Sequence, residues 1–320
     1  MKDTSLDVRK AEVSSVPTRE SLVTKELQSQ LPKFGPGELP VEYTPINDRV
    51  LKRGDRFGSL SFQISLSSHQ HHLEYITRCN TGRLTTGTPN LYPFEFWPLP
   101  RVMSQWRFGR LNEVISIRAD RIIQVRPQTD QKLAGETIVK SVAKRKGLCF
   151  GFFESTTKTA AGEICMVAED VLLLANGCDP DKLREAVLDT NVNKVYTFVD
   201  TPSSILGSWI LQMRYPWPVE KWRNNIHTDV YALSLGYERG LVEGPGIADV
   251  VYSIDETHLK DAGSFRLSWE YASPLYHGTQ VVLIAEVSSN SQIRRYSVCE
   301  PPKEIPGKCR ILLNLEIKQL

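Results

Sequence analysis

The stretch Trp222 to Val251, WRNNIHTDVYALSLGYERGLVEGPGIADVV, decides how the rest of the chain is read. It opens on a polar cluster, Asn224, His227 and Asp229, and passes through a short amphipathic turn. It then reaches the loop Glu243-Gly244-Pro245-Gly246, and the apolar run Ile247 to Ile254 that follows reads as a helix. A loop that delivers free backbone N–H groups to a helix start receives oxygen atoms carrying negative charge. A histidine just upstream can fold over that receiver as acid, base or orienting group. The plainer alternative is a surface turn feeding a core helix, with His227 satisfied by a neighbour.

Outward from that stretch, four strand candidates lie downstream: Ser264 to Tyr271, Gln280 to Ser288, Gln292 to Cys299 and Lys308 to Ile317. In the last, Ile311, Leu313, Leu315 and Ile317 alternate with Leu312, Asn314, Glu316 and Lys318, which predicts one buried and one solvated face. Upstream the same order is met once before. A strand over Ser61 to Leu66 precedes a helix over His69 to Asn80, with Ser67 or Ser68 as N-cap. Strands over Val114 to Val125, Gly147 to Ser155 and Glu163 to Leu174 then form an antiparallel meander. The basic run Lys140 to Lys146 reads as a solvated hairpin end. A helix early and a meander late, twice in one chain, predict an α+β fold: two curved antiparallel sheets, each wrapped around a helix and paired edge to edge. The boundaries follow as a polar arm over 1–45, with one short helix around Ser21 to Gln30, a first unit over 46–180, a linker over 181–202 and a second unit over 203–320.

Composition excludes several function classes. With 320 residues, 41% hydrophobic content and a formal net charge of +2, nothing marks a nucleic-acid or anionic-membrane binder. No apolar run approaches the roughly 18 residues of a membrane-spanning helix. The first residues mix acids and bases and fit neither a secretory signal nor a transit peptide, so a cytoplasmic location is expected. Six widely spaced cysteines without a CxxC pair read as reduced core thiols. His69, His71 and His72 point in different directions along a helix and read as a solvated helix start, not a metal site. No phosphate-binding glycine loop or serine-nucleophile setting is present.

Several stretches carry a family resemblance. IHTDVYA (226–232), Gly236-Tyr237, Gly244-Pro245 and SPLYHG (273–278) resemble the MaoC-like hydratases and dehydratases. The likeness is to their double hot-dog subgroup of mitochondrial-type 3-hydroxyacyl thioester dehydratases and mesaconyl-CoA hydratase. In the first half, PLPRVM (98–103) resembles that subgroup's Pro-Leu-Pro-Arg segment, and RKGLCFGFFE (145–154) matches its following strands in pattern. The resemblance covers roughly residues 45 to 320 and implies a double hot-dog that adds or removes water beside a carbonyl. It puts His227 at the family's histidine, Asp229 at the following aspartate and Gly244 at the glycine that receives the oxyanion. It departs at Trp222, where the family carries an aspartate, and at Glu243, where it carries a histidine.

The expected machinery is His227 as proton carrier, Glu243 as second acid or base, Asn224 and Asp229 orienting His227, and the Gly244 amide holding the oxyanion. Trp222, Tyr215, Arg214, Arg101, Trp97 and Tyr237 are the candidates for contacting substrate. No cofactor and no metal are implied, the partner is a small-molecule substrate, and a homodimer is left open. Three functions stay in play: a dehydratase or hydratase on a specialised small molecule, a cyclase that dehydrates its substrate and steers ring closure, and a non-catalytic binding subunit.

Overall fold

The structure is a computed structural model and describes residues 49, 51–79, 90–100, 114–192, 198–200, 205–213, 226–259, 263–286, 292–301 and 308–320. The arm over 1–45 lies outside them. In chain order the elements are β1 (Arg56–Phe62), α1 (Leu66–Cys79), β2 (Val114–Ile123), β3 (Leu133–Arg145), β4 (Leu148–Thr159), β5 (Ile164–Leu174), α2 (Pro180–Val192), β6 (Phe198–Asp200) and β7 (Gly207–Ile210). They continue as α3 (Asp229–Ser234), α4 (Gly244–Leu259), β8 (Phe265–Tyr271), β9 (Gln280–Glu286), β10 (Ile293–Glu300) and β11 (Lys308–Gln319). No helix among the described residues is long and apolar enough to cross a membrane.

The strands join in one sheet in the order β1-β3-β4-β5-β2-β8-β11-β10-β9-β7, with β6 pairing β11. Read from its two edges toward the middle, the sheet repeats itself. The first half runs β1-β3-β4-β5-β2 and the second β7-β9-β10-β11-β8. Each half carries its long buried helix between its edge strand and its innermost strand in sequence, α1 in one and α4 in the other. The innermost strands meet at a seam where Arg118 to Ile123 of β2 pair with Phe265 to Glu270 of β8. Among the described residues, closure at that seam leaves β1 and β7 as the ends of the main strand order, with the short β6 branching from β11, which limits exposed edges.

Local chemistry explains the elements. α4 is apolar on most sides: Ile247, Ala248, Val250, Val251 and Tyr252 are each at most 1% exposed. Each buried large aliphatic side chain contributes about 1.5–3 kcal/mol, so this helix is fixed by its packing. Pro245 sits in the first turn, where a missing N–H costs nothing. The β3–β4 hairpin turns on Lys146 and Gly147, both at positive φ (51° and 81°), the pattern of a two-residue turn matched to strand twist.

Several expectations are corrected. The α1 N-cap is Ser65, whose hydroxyl accepts the Ser68 N–H at 3.2 Å, not Ser67 or Ser68. Strand β3 was absent from the sequence reading; its first half buries alternate residues, but its second half is charged and exposed. The stretch 181–202, a linker by composition, holds most of α2. Asp179 caps that helix by accepting the N–H groups of Asp181 and Lys182, and Leu183 and Val187 are buried against the sheet. His69 and His72 are not solvated. They are 1% and 0% exposed and face carboxylates distant in sequence. His69 Nδ1 lies 2.8 Å from Glu95, and His72 Nε2 of α1 lies 3.0 Å from Asp249 of α4. Nearby, Arg126 reaches Glu256 at 2.7 Å and lies over the Tyr92 and Tyr252 rings. Charged and hydrogen-bonded ties thus join the halves through their helices, while Arg266 of β8 pairs with Asp120 of β2 across the seam.

Candidate active site

The site is organised by the segment Gly240 to Val242, which leads through Glu243 into α4. On one side Leu241 N–H donates to Ile226 O at 2.9 Å; on the other Val242 N–H donates to Leu275 O at 2.8 Å, and His277 N–H to Gly240 O at 3.1 Å. The segment is therefore held between the turn at 226–228 and the stretch 275–277, with Leu241 bridged to Tyr276. Gly240 permits the tight approach, because a Cβ there would lie 2.5 Å from the His227 carbonyl oxygen.

His227 is half-buried, and its Nδ1 donates to Leu241 O at 2.6 Å. A carbonyl oxygen only accepts, so that bond sets the tautomer. The neutral ring carries its proton on Nδ1 and keeps the basic lone pair on Nε2. Asp229 is exposed, and its carboxylate accepts the Gly240 N–H at 2.8 Å. It thereby fixes the residue next to the carbonyl that holds His227, and its influence on the imidazole passes through the backbone.

Glu243 is 6% exposed at the entrance to α4, and its carbonyl accepts the Gly246 N–H at 3.0 Å. Cys79, at the end of α1, is close enough to feel it. Burial first, and Glu243 among lesser causes, push that thiol up to about 12. The Gly244 N–H has no acceptor among the described residues. Two phenols back the Gly-Pro-Gly turn. A Cβ on Gly246 would lie 3.2 Å from the Tyr75 hydroxyl, and a Cβ on Gly244 would overlap the Tyr271 hydroxyl. The α4 start is thus assembled from more than one element, with α1 supplying Tyr75 and β8 supplying Tyr271.

Behind Tyr271 lies a buried layer. Trp269 Nε1 donates to the Tyr271 oxygen at 2.8 Å. The Arg121 guanidinium is sandwiched between the Trp97 and Trp269 rings, 5.0 Å from each centroid. It pairs with Asp170 at 2.6 Å, and Trp97 Nε1 donates to the other Asp170 oxygen at 3.0 Å. Burial raises the Asp170 pKa, with the facing Arg121 opposing it. Trp97 is therefore committed to this layer. Tyr237 is 7% exposed within an apolar cluster that includes Leu183 and Val187, and burial raises its phenol pKa. Of the other expected residues, Arg101, Arg214, Tyr215, Trp222 and Asn224 lie outside the described residues.

Sequence reasoning missed Tyr271 and the Leu241 carbonyl. A Gly-Pro-Gly turn does signal that something packs against its glycines, and Trp269 with Tyr271 at i and i+2 shares one strand face. A backbone carbonyl leaves no trace in sequence. A cleft of about 310 Å³ lined by Arg49, Lys144, Asn176, Cys178 and Asp179 contains none of the expected site residues. Among the described residues no three histidine, cysteine or acidic side chains are grouped to hold a metal.

No family model and no curated protein sequence matches the chain. Solved structures do match in shape. HtdX of Mycobacterium tuberculosis is 13% identical, with 82% of this chain and 100% of that one covered at a TM-score of 0.59. A putative MaoC domain protein dehydratase of Chloroflexus aurantiacus is 10% identical over 88% of this chain and 99% of that one, TM-score 0.55. A Mycobacterium tuberculosis protein described as having a double hotdog fold is 11% identical over 86% and 99%, TM-score 0.51. The sheet repeat and these neighbours agree: the chain has the double hot-dog fold of the MaoC-like dehydratases.

Proposed function

We propose that this protein is a lyase of the dehydratase or hydratase type acting on a small molecule beside a carbonyl. In the dehydrating direction, a proton leaves the carbon next to the carbonyl and its electron pair moves onto the carbonyl oxygen as an enolate. The enolate then re-forms the carbonyl, the double bond closes, and the β-hydroxyl departs with a proton as water. His227 Nε2 takes the first proton, Glu243 supplies the second acid or base, and the Gly244 N–H receives the enolate oxygen. The observation that carries this reading is the bond from His227 Nδ1 to Leu241 O, two residues before Glu243. It leaves the imidazole with a basic Nε2 on the segment that enters the helix start. Glu243 and Trp222, where the family pattern has histidine and aspartate, support a specialised substrate in place of a general acyl thioester.

The test compares wild type with His227→Ala on a panel of α,β-unsaturated thioesters, ketones and acids, following loss of conjugated absorbance. A fall of at least about a thousandfold at unchanged melting temperature is expected, in line with removal of an acid–base group together with its positioning. Near-wild-type turnover removes His227 from the mechanism; no wild-type turnover, with tight binding to another hot-dog chain, favours the non-catalytic subunit. A cyclase shares the water-loss step, and product analysis separates it by the new ring.

A further inference from the structure

We propose that the Tyr271 hydroxyl is a second hydrogen-bond donor, beside the Gly244 N–H, to the substrate oxygen that gathers negative charge. This rests on the reading of the α4 start as the seat of that oxygen.

The argument begins with contact. An ideal Cβ on Gly244 comes nearer to the phenol oxygen than to Cζ (2.4 Å) or Cε1 (2.6 Å), so the polar end of Tyr271 leads toward the helix start. Had the ring served only to fill space there, phenylalanine would fill it as well and would bring no polar atom to bury. The second step is direction. Trp269 Nε1 donates to the phenol oxygen at 2.8 Å. The phenol oxygen thus accepts from the indole, and its own proton is the group it has to give. Burial raises the phenol pKa well above its ordinary value, so that proton stays in place.

The third step is rigidity. Trp269 is 4% exposed and stacks on Arg121, which pairs with Asp170, itself bonded by Trp97. A donor backed in this way does not reorganise when charge develops, and such donors stabilise a transition state most. Two donors from different elements, one a backbone amide and one a phenol, also discriminate by position: only an oxygen at their intersection is bonded by both.

The test uses enolisable probes and needs no knowledge of the natural substrate. Acetylacetone and acetoacetyl-CoA are titrated into wild type and Tyr271→Phe at fixed pH, and the enolate absorption band reports binding of the charged form. Wild type is expected to draw out the enolate of at least one probe, and Tyr271→Phe to bind it about 100-fold more weakly, the effect of removing one such donor. Trp269→Phe keeps the phenol but loses the bond that aims it, and is expected to fall between. Circular dichroism and melting of each variant show that the fold is kept. Equal enolate affinity in wild type and Tyr271→Phe overturns the role of Tyr271 alone. No enolate band with wild type and either probe overturns the oxyanion seat, and Tyr271 with it.

Discussion

Replacing Asp249 by leucine tests how the two halves are held together. Asp249 lies on α4, 1% exposed, and accepts two donors from the first half: His72 Nε2 at 3.0 Å and the Phe94 N–H at 3.1 Å. Leucine is of similar volume and accepts nothing. Both donors, already out of water, are then orphaned, at about 1–3 kcal/mol each. The sum, about 2–6 kcal/mol, brackets the about 3–5 kcal/mol measured when one partner of a buried pair is removed. For a chain of 320 residues, with an unfolding entropy of about 2.1 cal/mol/K per residue, about 4 kcal/mol lowers the melting temperature by about 6 °C. Urea unfolding reads the same loss as a lower midpoint at unchanged slope. His72→Phe combined with Asp249→Leu removes the imidazole that Asp249→Leu alone strands, so the double variant is expected to recover part of the loss. A single variant within about 1 kcal/mol of wild type would refute the view that this contact clamps the halves. So would a double variant losing the full sum of the two single losses, because groups in contact do not add.

Gly240→Ala places a methyl group 2.5 Å from the His227 carbonyl oxygen and 3.1 Å from Met213 Cε. The backbone must shift, costing about 1–3 kcal/mol, and turnover is expected to fall more than about tenfold as the His227–Leu241 bond is disturbed; unchanged turnover in a folded variant argues that His227 placement is not limiting. Thiol alkylation is expected to spare Cys79, Cys165 and Cys299 in the native protein, since burial pushes their pKa values up to about 12, 11 and 12; mass spectrometry showing any of the three labelled before unfolding contradicts that burial. Asp170 titrates higher in the folded state than in the unfolded one, chiefly through burial. Its contribution to stability is fully present below the unfolded value of about 3.9 and is lost as pH rises through the folded value. The stability of wild type minus that of Asp170→Asn should therefore fall from about pH 4 upward; a difference that grows with pH refutes the sign.

Much of the fold was legible because its signals are periodic and local. The apolar run after Gly246 predicts a helix, and α4 extends through it to Leu259. The alternation in β11 predicts an inward set of Ile311, Leu313, Leu315 and Ile317; the last three join the main core, whereas Ile311 packs in a separate cluster and Leu312, expected outside, is 0% exposed. The cause is a bulge. Val298 pairs with Leu313 and Cys299 with Ile311, so Leu312 is an extra residue and the facing slips by one. Nothing in the local sequence marks that slip. The buried histidines illustrate the same limit: Glu95 is 26 residues from His69, and Asp249 is 177 from His72. A reading of neighbours along the chain therefore takes both for solvated. The site divides along the same line. His227, Asp229, Glu243 and Gly244 are close in sequence, and their shared segment could be read, whereas Tyr271 and Tyr75 come from distant elements.

The repeat in the sheet explains why the site lies where it does. Both halves place a buried helix across their strands, but only the second opens that helix with Gly-Pro-Gly. α1 opens with a serine cap, so an amide of its first turn, that of Ser68, is answered by the Ser65 hydroxyl. At α4 the corresponding place is entered by Glu243, and the Gly244 N–H is left without an acceptor among the described residues. One copy of the repeat thus caps its helix start with a side chain, while the other leaves its first amide for the oxygen that the proposed function places there. The capped half still takes part, because Tyr75 from the last turns of α1 packs against the start of α4. The His72–Asp249 contact, at 3.0 Å, ties the same two helices together further along α4. On the proposed function, the polar groups between the halves therefore set the geometry of the site as well as stability.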